Sequence, residues 1–189
     1  MTILSIALPD WVDDTVRNWS GPTNTDESRM DLAIELSRLN VLRGGGPFAA
    51  LAFGGDQLLG AGVNRVVSSG FSIAHAEILA LMSAQQTRRE RLCDVGRPLT
   101  LVTTTDPCCQ CYGAAIWANI ERLICGATTA DAEAIGFDEG PKPTDWVEIL
   151  ERRGVQVRRQ LGRELAIQVH RLYLQEGGKI YGTANCTSK

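Results

Sequence analysis

Residues 99–127 read LTLVTTTDPCCQCYGAAIWANIERLICGA, and this stretch decides the fold. It opens with an apolar, threonine-rich run at 99–104, continues through a helical pattern at 109–119 and closes with a second apolar run at 122–127. Two short apolar runs joined by a helix of about ten residues indicate a β–α–β unit, in which the two strands lie parallel. The stretch therefore predicts an α/β protein.

The same alternation of strands and helices extends to both sides of this unit. The patterns predict helices at 10–19, from 25 or 26 to 42, at 75–87, at 144–153 and at 163–175, and further strands at 48–54, 58–67 and 154–159. The strands at 48–54 and 58–67 are close enough to form a hairpin. The chain is therefore expected to form a three-layer α/β/α sandwich around a five-stranded, mostly parallel mixed sheet.

A single domain accounts for the whole chain, 1–189, because one domain typically takes about 150 residues. Residues 1–24 form a predicted N-terminal helical extension, and residues 177–189 form a C-terminal tail with little periodicity. The segment 130–143 is expected to be a long loop or a short helix near the strand ends. Long irregular connections are where functional residues concentrate.

Composition and charge exclude several classes of protein. The longest apolar run, 48–53, is far shorter than the roughly 20 residues needed to cross a bilayer, so no membrane span is expected. The first eight residues contain no Lys or Arg and do not form a signal peptide, which predicts a cytoplasmic protein. A net charge of −3 argues against a nucleic-acid partner, since such domains carry a basic face.

Three side chains suited to zinc occur in two short clusters. His75 lies in the run 75–77 (HAE), and Cys108 and Cys111 lie in the run 107–111 (PCCQC). Both clusters fall at predicted helix starts, where free backbone N–H groups and the helix dipole favour the thiolate form of cysteine. Two thiolates and one imidazole are a good ligand set for Zn²⁺.

The number of ligands distinguishes a catalytic site from a structural one. The other histidine, His170, lies inside an apolar helix far from these clusters, so the count stays at three. Three protein ligands leave the fourth position of zinc to water, and Glu77 is placed to take a proton from that water. The sequence therefore predicts one catalytic zinc ion per subunit, held by three protein ligands and a water.

Together, the runs 75–77 and 107–111 resemble the H-x-E…P-C-x-x-C signature of the zinc deaminases of the cytidine deaminase-like superfamily. The resemblance covers roughly residues 25–160. It implies that activated water attacks a ring carbon bearing an exocyclic amine, and that Glu77 passes protons to a ring nitrogen and to departing ammonia. Ala76, which lies between the metal ligand His75 and the proton acceptor Glu77 in the sequence, is a candidate substrate contact.

The substrate class follows from further resemblances. Gly45–Phe48 followed by Asn64 is similar to the small bacterial-type guanine deaminases, the tRNA adenosine deaminases and the yeast-type cytosine deaminases. In such enzymes the asparagine binds the base, and its amide offers both a donor and an acceptor. Phe48 either lines the pocket or is a core residue. Trp117, in a segment that resembles guanine deaminases, is expected to be a buried wall of the pocket or a core residue.

The run 136–139 (GFDE) resembles a Gly-Phe-Asp-acid run of guanine deaminases, which implies guanine as the base. One carboxylate can accept both the N1–H and 2-amino groups of guanine. We assign this catalytic role to Glu139 rather than Asp138, and Asp138 is kept as a substrate-binding candidate. The alternative is that both residues are solvated loop acids without a role in the site. The family more often has Asp in place of Glu139, so a related ring such as an amino-triazine is a further candidate substrate. By the same resemblance, Tyr181 in the tail closes over the pocket.

The leading hypothesis is therefore hydrolysis of guanine to xanthine and ammonia, by a homodimer with zinc as cofactor. The alternatives are a tRNA adenosine deaminase, a cytosine or nucleoside deaminase and, as a different class, a zinc-stabilised binding module. A thiol redox switch at 108–111 is disfavoured because thiolates bound to zinc are poorly available for exchange.

Overall fold

The strands and helices of the chain follow the predicted order. The computed structural model describes residues 6–90 and 99–182, with the side chains of residues 89 and 90 excepted. The helices are α1 (Asp10–Arg17), α2 (Asp26–Leu42), α3 (Val66–Ser69), α4 (Ala76–Glu90), α5 (Cys109–Trp117), α6 (Thr129–Glu133), α7 (Trp146–Arg152) and α8 (Arg163–Gln175). The strands are β1 (Ala49–Gly54), β2 (Gln57–Val63), β3 (Leu99–Thr105), β4 (Ile120–Ala127) and β5 (Gln156–Arg158).

The five strands form one sheet in the order β2-β1-β3-β4-β5. Strand β1 is antiparallel to both of its neighbours, whereas β3, β4 and β5 pair in parallel. Four strands therefore run in one direction and β1 alone runs against them. This arrangement confirms the predicted mixed sheet, and the parallel part is the β–α–β unit at 99–127.

Helices cover both faces of the sheet. Alternate residues of β1 point to opposite faces, as in any strand. Leu51 and Phe53 join the core beneath α2 and α8, and Ala50 and Ala52 join the core beneath α4, α5 and α7. The small side chains on the second face let α4 lie close to the sheet. Among the helices of the described residues, none is long and apolar enough to span a membrane.

Most predicted boundaries lie close to those of the structure, and the end of strand β2 differs most. Strand β2 was expected to reach residue 67 but ends at Val63, because the Asn64 side chain accepts a hydrogen bond from the Val66 backbone N–H (3.2 Å) and turns the chain into α3. The segment 130–143 overlaps one short helix, α6, whose start is capped by Thr128 and Asp131. The ends of the tail and of the N-terminal extension, residues 183–189 and 1–5, lie outside the described residues.

Helix α4 packs directly on β2 because two glycines of that strand have no side chain. A Cβ atom at Gly62 would lie 2.1 Å from the carbonyl oxygen of Ala76, and one at Gly60 would lie 2.4 Å from that of Ala80. Both contacts are to helix backbone, which cannot move without moving the helix. The glycines therefore fix the position of the first turn of α4, where His75 and Glu77 are held.

Replacing Gly62 by alanine should displace the start of α4 and weaken metal binding. We expect Gly62→Ala to lower the free energy of unfolding by roughly 1–3 kcal/mol, the usual cost of overpacking, and to reduce the zinc content of the purified protein. Urea unfolding and metal analysis measure the two effects. Gly113→Ala is the control, since no atom lies within 4 Å of a Cβ at that helical position. A Gly62→Ala variant with the stability and zinc content of Gly113→Ala would contradict this expectation.

Candidate active site

The first turns of α4 and α5 bring the three predicted metal ligands together. His75 directly precedes α4, Cys108 caps the start of α5, and Cys111 lies in the first turn of α5. The Nδ1 atom of His75 lies 3.4 Å from Sγ of Cys108 and 3.6 Å from Sγ of Cys111. All three ligand atoms lie within 4.8 Å of one another.

These distances fit a tetrahedral zinc ion. With Zn–S bonds of about 2.3 Å and Zn–N bonds of about 2.0–2.1 Å, neighbouring ligand atoms lie about 3.6 Å apart. The side chains of the three residues are mostly buried, and each offers one soft or borderline donor atom. The residues present therefore fit zinc with three protein ligands.

The electrostatics of the cluster favour ionised sulfur. A hydrogen bond from Cys111, opposed by burial and supported by His75, lowers the pKa of Cys108 to about 4. The same interaction with Cys108, together with burial, raises the pKa of Cys111 well above its usual value. One thiolate is thus present before a metal binds, and the second proton leaves when the metal takes its place.

Glu77 lies beside the metal ligands in a nearly dry environment. Its side chain is 7% exposed, and burial, with the nearby charge of Cys108, raises the pKa of the carboxyl. The hydroxyl of Thr103 on β3 donates a hydrogen bond to Oε1 of Glu77 at 3.2 Å. A carboxyl group in this position can accept a proton from a water at the metal site.

A cleft opens over the metal ligands, and most of the predicted substrate-binding residues lie in it. Three aromatic rings, an imidazole, an amide and several acids surround it. Its lining consists of Phe48, Asn64, His75, Glu77, Thr105, Asp106, Cys108, Phe137, Asp138, Glu139, Tyr181 and Gly182.

Asn64 is held rigidly at one side of the cleft. Its backbone N–H donates to the Phe48 carbonyl at 2.9 Å, and its Oδ1 accepts from Val66. Behind it, the fully buried Asn40 donates from Nδ2 to the carbonyls of Gly46 (2.8 Å) and Asn64 (2.9 Å). Since Oδ1 of Asn64 accepts from Val66, its NH₂ group is the one left to donate, either to the Tyr181 hydroxyl or to a ligand.

Both acids of the run 136–139 line the cleft, but only the side chain of Glu139 is buried there. Glu139 is 7% exposed, and burial raises its pKa to about 8. Its carbonyl accepts a hydrogen bond from the Cys109 backbone N–H at 2.9 Å, which ties this loop to the start of α5. Asp138 lies at the exposed rim, where its Oδ1 accepts from Gly140 N–H at 2.8 Å. The geometry favours Glu139 over Asp138 for contact with a ring.

Aromatic side chains join the cleft to the tail. The Phe48 and Phe137 rings meet edge to face at 4.9 Å, and the Tyr181 ring meets Phe137 at 5.1 Å. The hydroxyl of Tyr181 is buried, and the side chain of Asn64 lies within its hydrogen-bonding reach. Burial also raises the pKa of this phenol, which keeps it neutral.

Two predicted contacts are placed elsewhere. Trp117 was expected to be buried, but its side chain is 89% exposed at the end of α5 and does not line the described cleft. A helical pattern alone does not show whether an apolar residue in the last turn faces the core. Ala76 is fully buried in the core against the sheet, so its methyl group is not part of the cleft lining.

Asp106 is a cleft residue that sequence reasoning missed. It is buried beside Pro107 and forms a two-point salt bridge with Arg159, while its Oδ2 also accepts from Thr129 N–H at 3.1 Å. The position of Asp106 directly before the run 107–111 could have indicated that it lies near the site. Its partner Arg159 lies beyond β5, however, and no local sequence pattern links Asp106 to Arg159. The bridge anchors the turn that carries Cys108.

His170 does not take part in the metal cluster, as the sequence predicted. Its Nε2 atom lies 3.1 Å from the Thr105 hydroxyl, and its ring meets Phe48 edge to face at 5.6 Å. Burial lowers the pKa of this imidazole to about 4. The side chain is therefore a neutral core group that supports the floor of the cleft.

The buried imidazole should make stability depend on pH. Between about pH 6.5 and pH 4 the unfolded chain binds a proton at His170 that the folded chain does not, so stability falls as the pH drops through this window. At pH 4, the lowered pKa of His170 reduces the free energy of unfolding by about 3 kcal/mol relative to neutral pH. We expect His170→Gln, which keeps a hydrogen-bonding side chain, to show a smaller loss of unfolding free energy between pH 7 and pH 5. Urea titrations at both pH values measure this, and an unchanged pH dependence would contradict it.

Comparison with known proteins gives consistent matches. Residues 23–127 match the family model for the cytidine and deoxycytidylate deaminase zinc-binding region. The chain is similar to a guanine deaminase of Bacillus subtilis (32% identity, 60% of this chain and 71% of that protein) and to a tRNA-specific adenosine deaminase of Buchnera aphidicola (34% identity, 61% and 74%).

Solved structures give longer matches. A guanine deaminase from Nitrosomonas europaea is 41% identical, with a TM-score of 0.82 over 90% of this chain and 96% of that one. A protein designated NE0047, solved in complex with 2,6-diaminopurine, is 41% identical with a TM-score of 0.83 over 96% and 97% of the two chains. Variants of NE0047 with a glutamate or an asparagine replaced were solved with 8-azaguanine.

Proposed function

Since the chain belongs to the family of the cytidine and deoxycytidylate deaminase zinc-binding region and is a zinc-dependent hydrolase of C–N bonds, we propose that its substrate is guanine, which it converts to xanthine and ammonia. The observation that carries this proposal is the buried carboxyl group of Glu139 in the cleft above the metal ligands. The similarity over nine-tenths of the chain to a guanine deaminase supports it.

The cleft matches the hydrogen-bonding edge of guanine. Guanine presents adjacent N–H donors, from which the carboxyl group of Glu139 can accept two hydrogen bonds in its ionised form. Asn64 can donate from its NH₂ group to an acceptor on the ring, and Phe48 and Phe137 provide apolar surfaces for the ring. Cytosine lacks the adjacent pair of donors, so the same cleft leaves part of Glu139 unpaired with that base.

Zinc bound by His75, Cys108 and Cys111 supplies a Lewis acid that makes water nucleophilic at neutral pH. Glu77 accepts one proton as water adds to the ring carbon that bears the amine and passes it to a ring nitrogen; it then accepts the second proton of the same oxygen and passes it to the amine as the C–N bond breaks. One water is consumed and one ammonia is released, so Glu77 ends the cycle as it began. The near absence of solvent around Glu77 keeps the proton within the site.

A tRNA adenosine is the second candidate substrate, because a relative that acts on tRNA matches at similar identity. That match covers a shorter part of this chain than the match to the guanine deaminase structure. The net charge of −3 and the exposed Asp138 at the cleft rim oppose the approach of a phosphate backbone. A free base is therefore favoured.

Ammonia release by the zinc-loaded protein tests the proposal. We expect release from guanine, with weaker or no release from adenine, cytosine, cytidine, guanosine, an amino-triazine and an adenosine-containing tRNA stem-loop. Glu77→Ala should retain one zinc per chain but lower kcat at least about 10³-fold, within the range lost with a general base. Glu139→Gln should bind zinc normally and lower kcat/KM for guanine about 10- to 100-fold.

Each result has a distinct reading. Turnover of the tRNA stem-loop but not of guanine would show that a tRNA adenosine is the substrate, and the proposed deamination chemistry would still hold. Normal turnover by Glu77→Ala would reject Glu77 as the base. Zinc binding without release from any compound would indicate a binding module.

We further propose that the protein is a homodimer that uses the surface around Trp117. The indole of Trp117 is 89% exposed, and aromatic side chains such as Trp are enriched in protein interfaces. The cysteines among the described residues, Cys108, Cys109, Cys111 and Cys125, form no disulfide bond with one another, which supports a reducing compartment such as the cytoplasm.

Replacing Trp117 should dissociate the dimer. We expect light scattering to give twice the 20.5 kDa chain mass for the unmodified protein and a lower mass for Trp117→Asp at micromolar concentration. Leu174→Asp on α8 is the control, because Leu174 is 46% exposed on a different helix. A monomeric unmodified protein, or a dimer that Trp117→Asp leaves intact, would reject this surface.

A further inference from the structure

Three consecutive threonines end strand β3, and each hydroxyl has a different partner. Thr103 donates to Oε1 of Glu77 at 3.2 Å, Thr104 accepts from the Ala49 backbone N–H at 3.1 Å, and Thr105 lies 3.1 Å from Nε2 of His170. All three side chains are buried. Thr104 and Thr105 thus hold neighbouring elements together, whereas Thr103 alone of the three contacts the proposed catalytic carboxyl.

The carboxyl of Glu77 needs a partner of this kind. Its terminal torsion has a broad, two-fold energy profile. Besides Thr103, the carboxyl is hydrogen-bonded by its own backbone N–H and by the Cys111 thiol, and the thiol loses its proton when it binds a metal. The Thr103 hydroxyl is thus the side-chain donor to Glu77 that metal binding leaves in place. Proton transfer, by contrast, requires one oxygen to lie within hydrogen-bond distance of the atoms that exchange protons. A donor from the rigid central strand β3 can satisfy this requirement, because β3 is paired on both sides.

We propose that Thr103 is a positioning residue that holds Oε1 of Glu77 toward β3 and leaves Oε2 as the oxygen that exchanges protons. This inference rests on the proposed role of Glu77. When Glu77 is ionised, the Thr103 hydroxyl donates to Oε1. When Glu77 carries the proton taken from water, the same hydrogen bond keeps that proton on Oε2, from which it passes to the ring nitrogen or the amine. Thr103 itself gains and loses no proton in the cycle.

The hydroxyl can be removed with little change of shape. Thr103→Val replaces the hydroxyl by a methyl group of similar size, and Thr103→Ser restores it on a smaller side chain. We expect Thr103→Val to lower kcat for guanine about 10- to 100-fold, with KM changed less than about twofold and zinc content unchanged, because misorientation of a proton-transfer group costs turnover rather than binding. Thr103→Ser should recover most of kcat. Thr103→Ala, which also lacks the hydroxyl, replaces Thr103→Val if the latter does not fold.

Thr104→Val is the matched control. It removes a buried hydroxyl from the next position of the same strand and leaves the Ala49 N–H unpaired, so it should lower the melting temperature at least as much as Thr103→Val does. Its kcat should stay within about twofold of the unmodified protein. Equal losses of kcat in Thr103→Val and Thr104→Val, or a normal kcat in Thr103→Val, would overturn the proposal.

A double-mutant cycle separates this inference from the function on which it rests. If Thr103 acts through Glu77, adding Thr103→Val to Glu77→Gln should not lower the residual rate further. Additive losses would show that Thr103 acts independently and would overturn the positioning role. If Glu77→Ala is inactive but Thr103→Val is fully active, only the role of Thr103 fails. If Glu77→Ala is active, the role of Glu77 fails as well.

Discussion

The approach of two helix starts to one another governs the architecture of the site. A zinc ion with two sulfur ligands and one nitrogen ligand needs its donor atoms about 3.6 Å apart, so the first turns of α4 and α5 must meet at that distance. The His75 and cysteine donor atoms lie 3.4 and 3.6 Å apart. Two features meet this demand: glycines in β2 let α4 settle on the sheet, and the salt bridge between Asp106 and Arg159 anchors the turn before α5. A displacement of either helix would separate the ligands.

The substrate side of the cleft has a different basis, which is a set of aromatic and amide contacts between segments distant in sequence. Phe48 follows α2, Phe137 follows α6 and Tyr181 follows α8, yet their rings pack against one another. Asn40 holds the two backbone carbonyls that flank this group at Gly46 and Asn64. The metal side is thus built from helix starts, and the base-binding side from loop ends pinned by side chains.

Local patterns predicted most of the fold and the metal side of the site. Strands and helices of 99–127 follow directly from periodicity, and the ligands His75, Cys108 and Cys111 fall in short runs whose spacing on a helix turn is itself the signal. The features that escaped prediction depend on tertiary contacts. Thr103 resembles any strand threonine until Glu77 is seen beside it, and nothing near Arg159 reveals a partner at Asp106. Trp117 fits a helical pattern, but the face it presents is decided by what packs on α5.

The tail contributes to the wall of the cleft. Tyr181 and Gly182, which follow α8, line the cleft, and the Tyr181 ring packs on Phe137. The three metal ligands all precede this segment in the chain. A chain that ended at α8 would therefore keep every metal ligand and lose this part of the cleft wall.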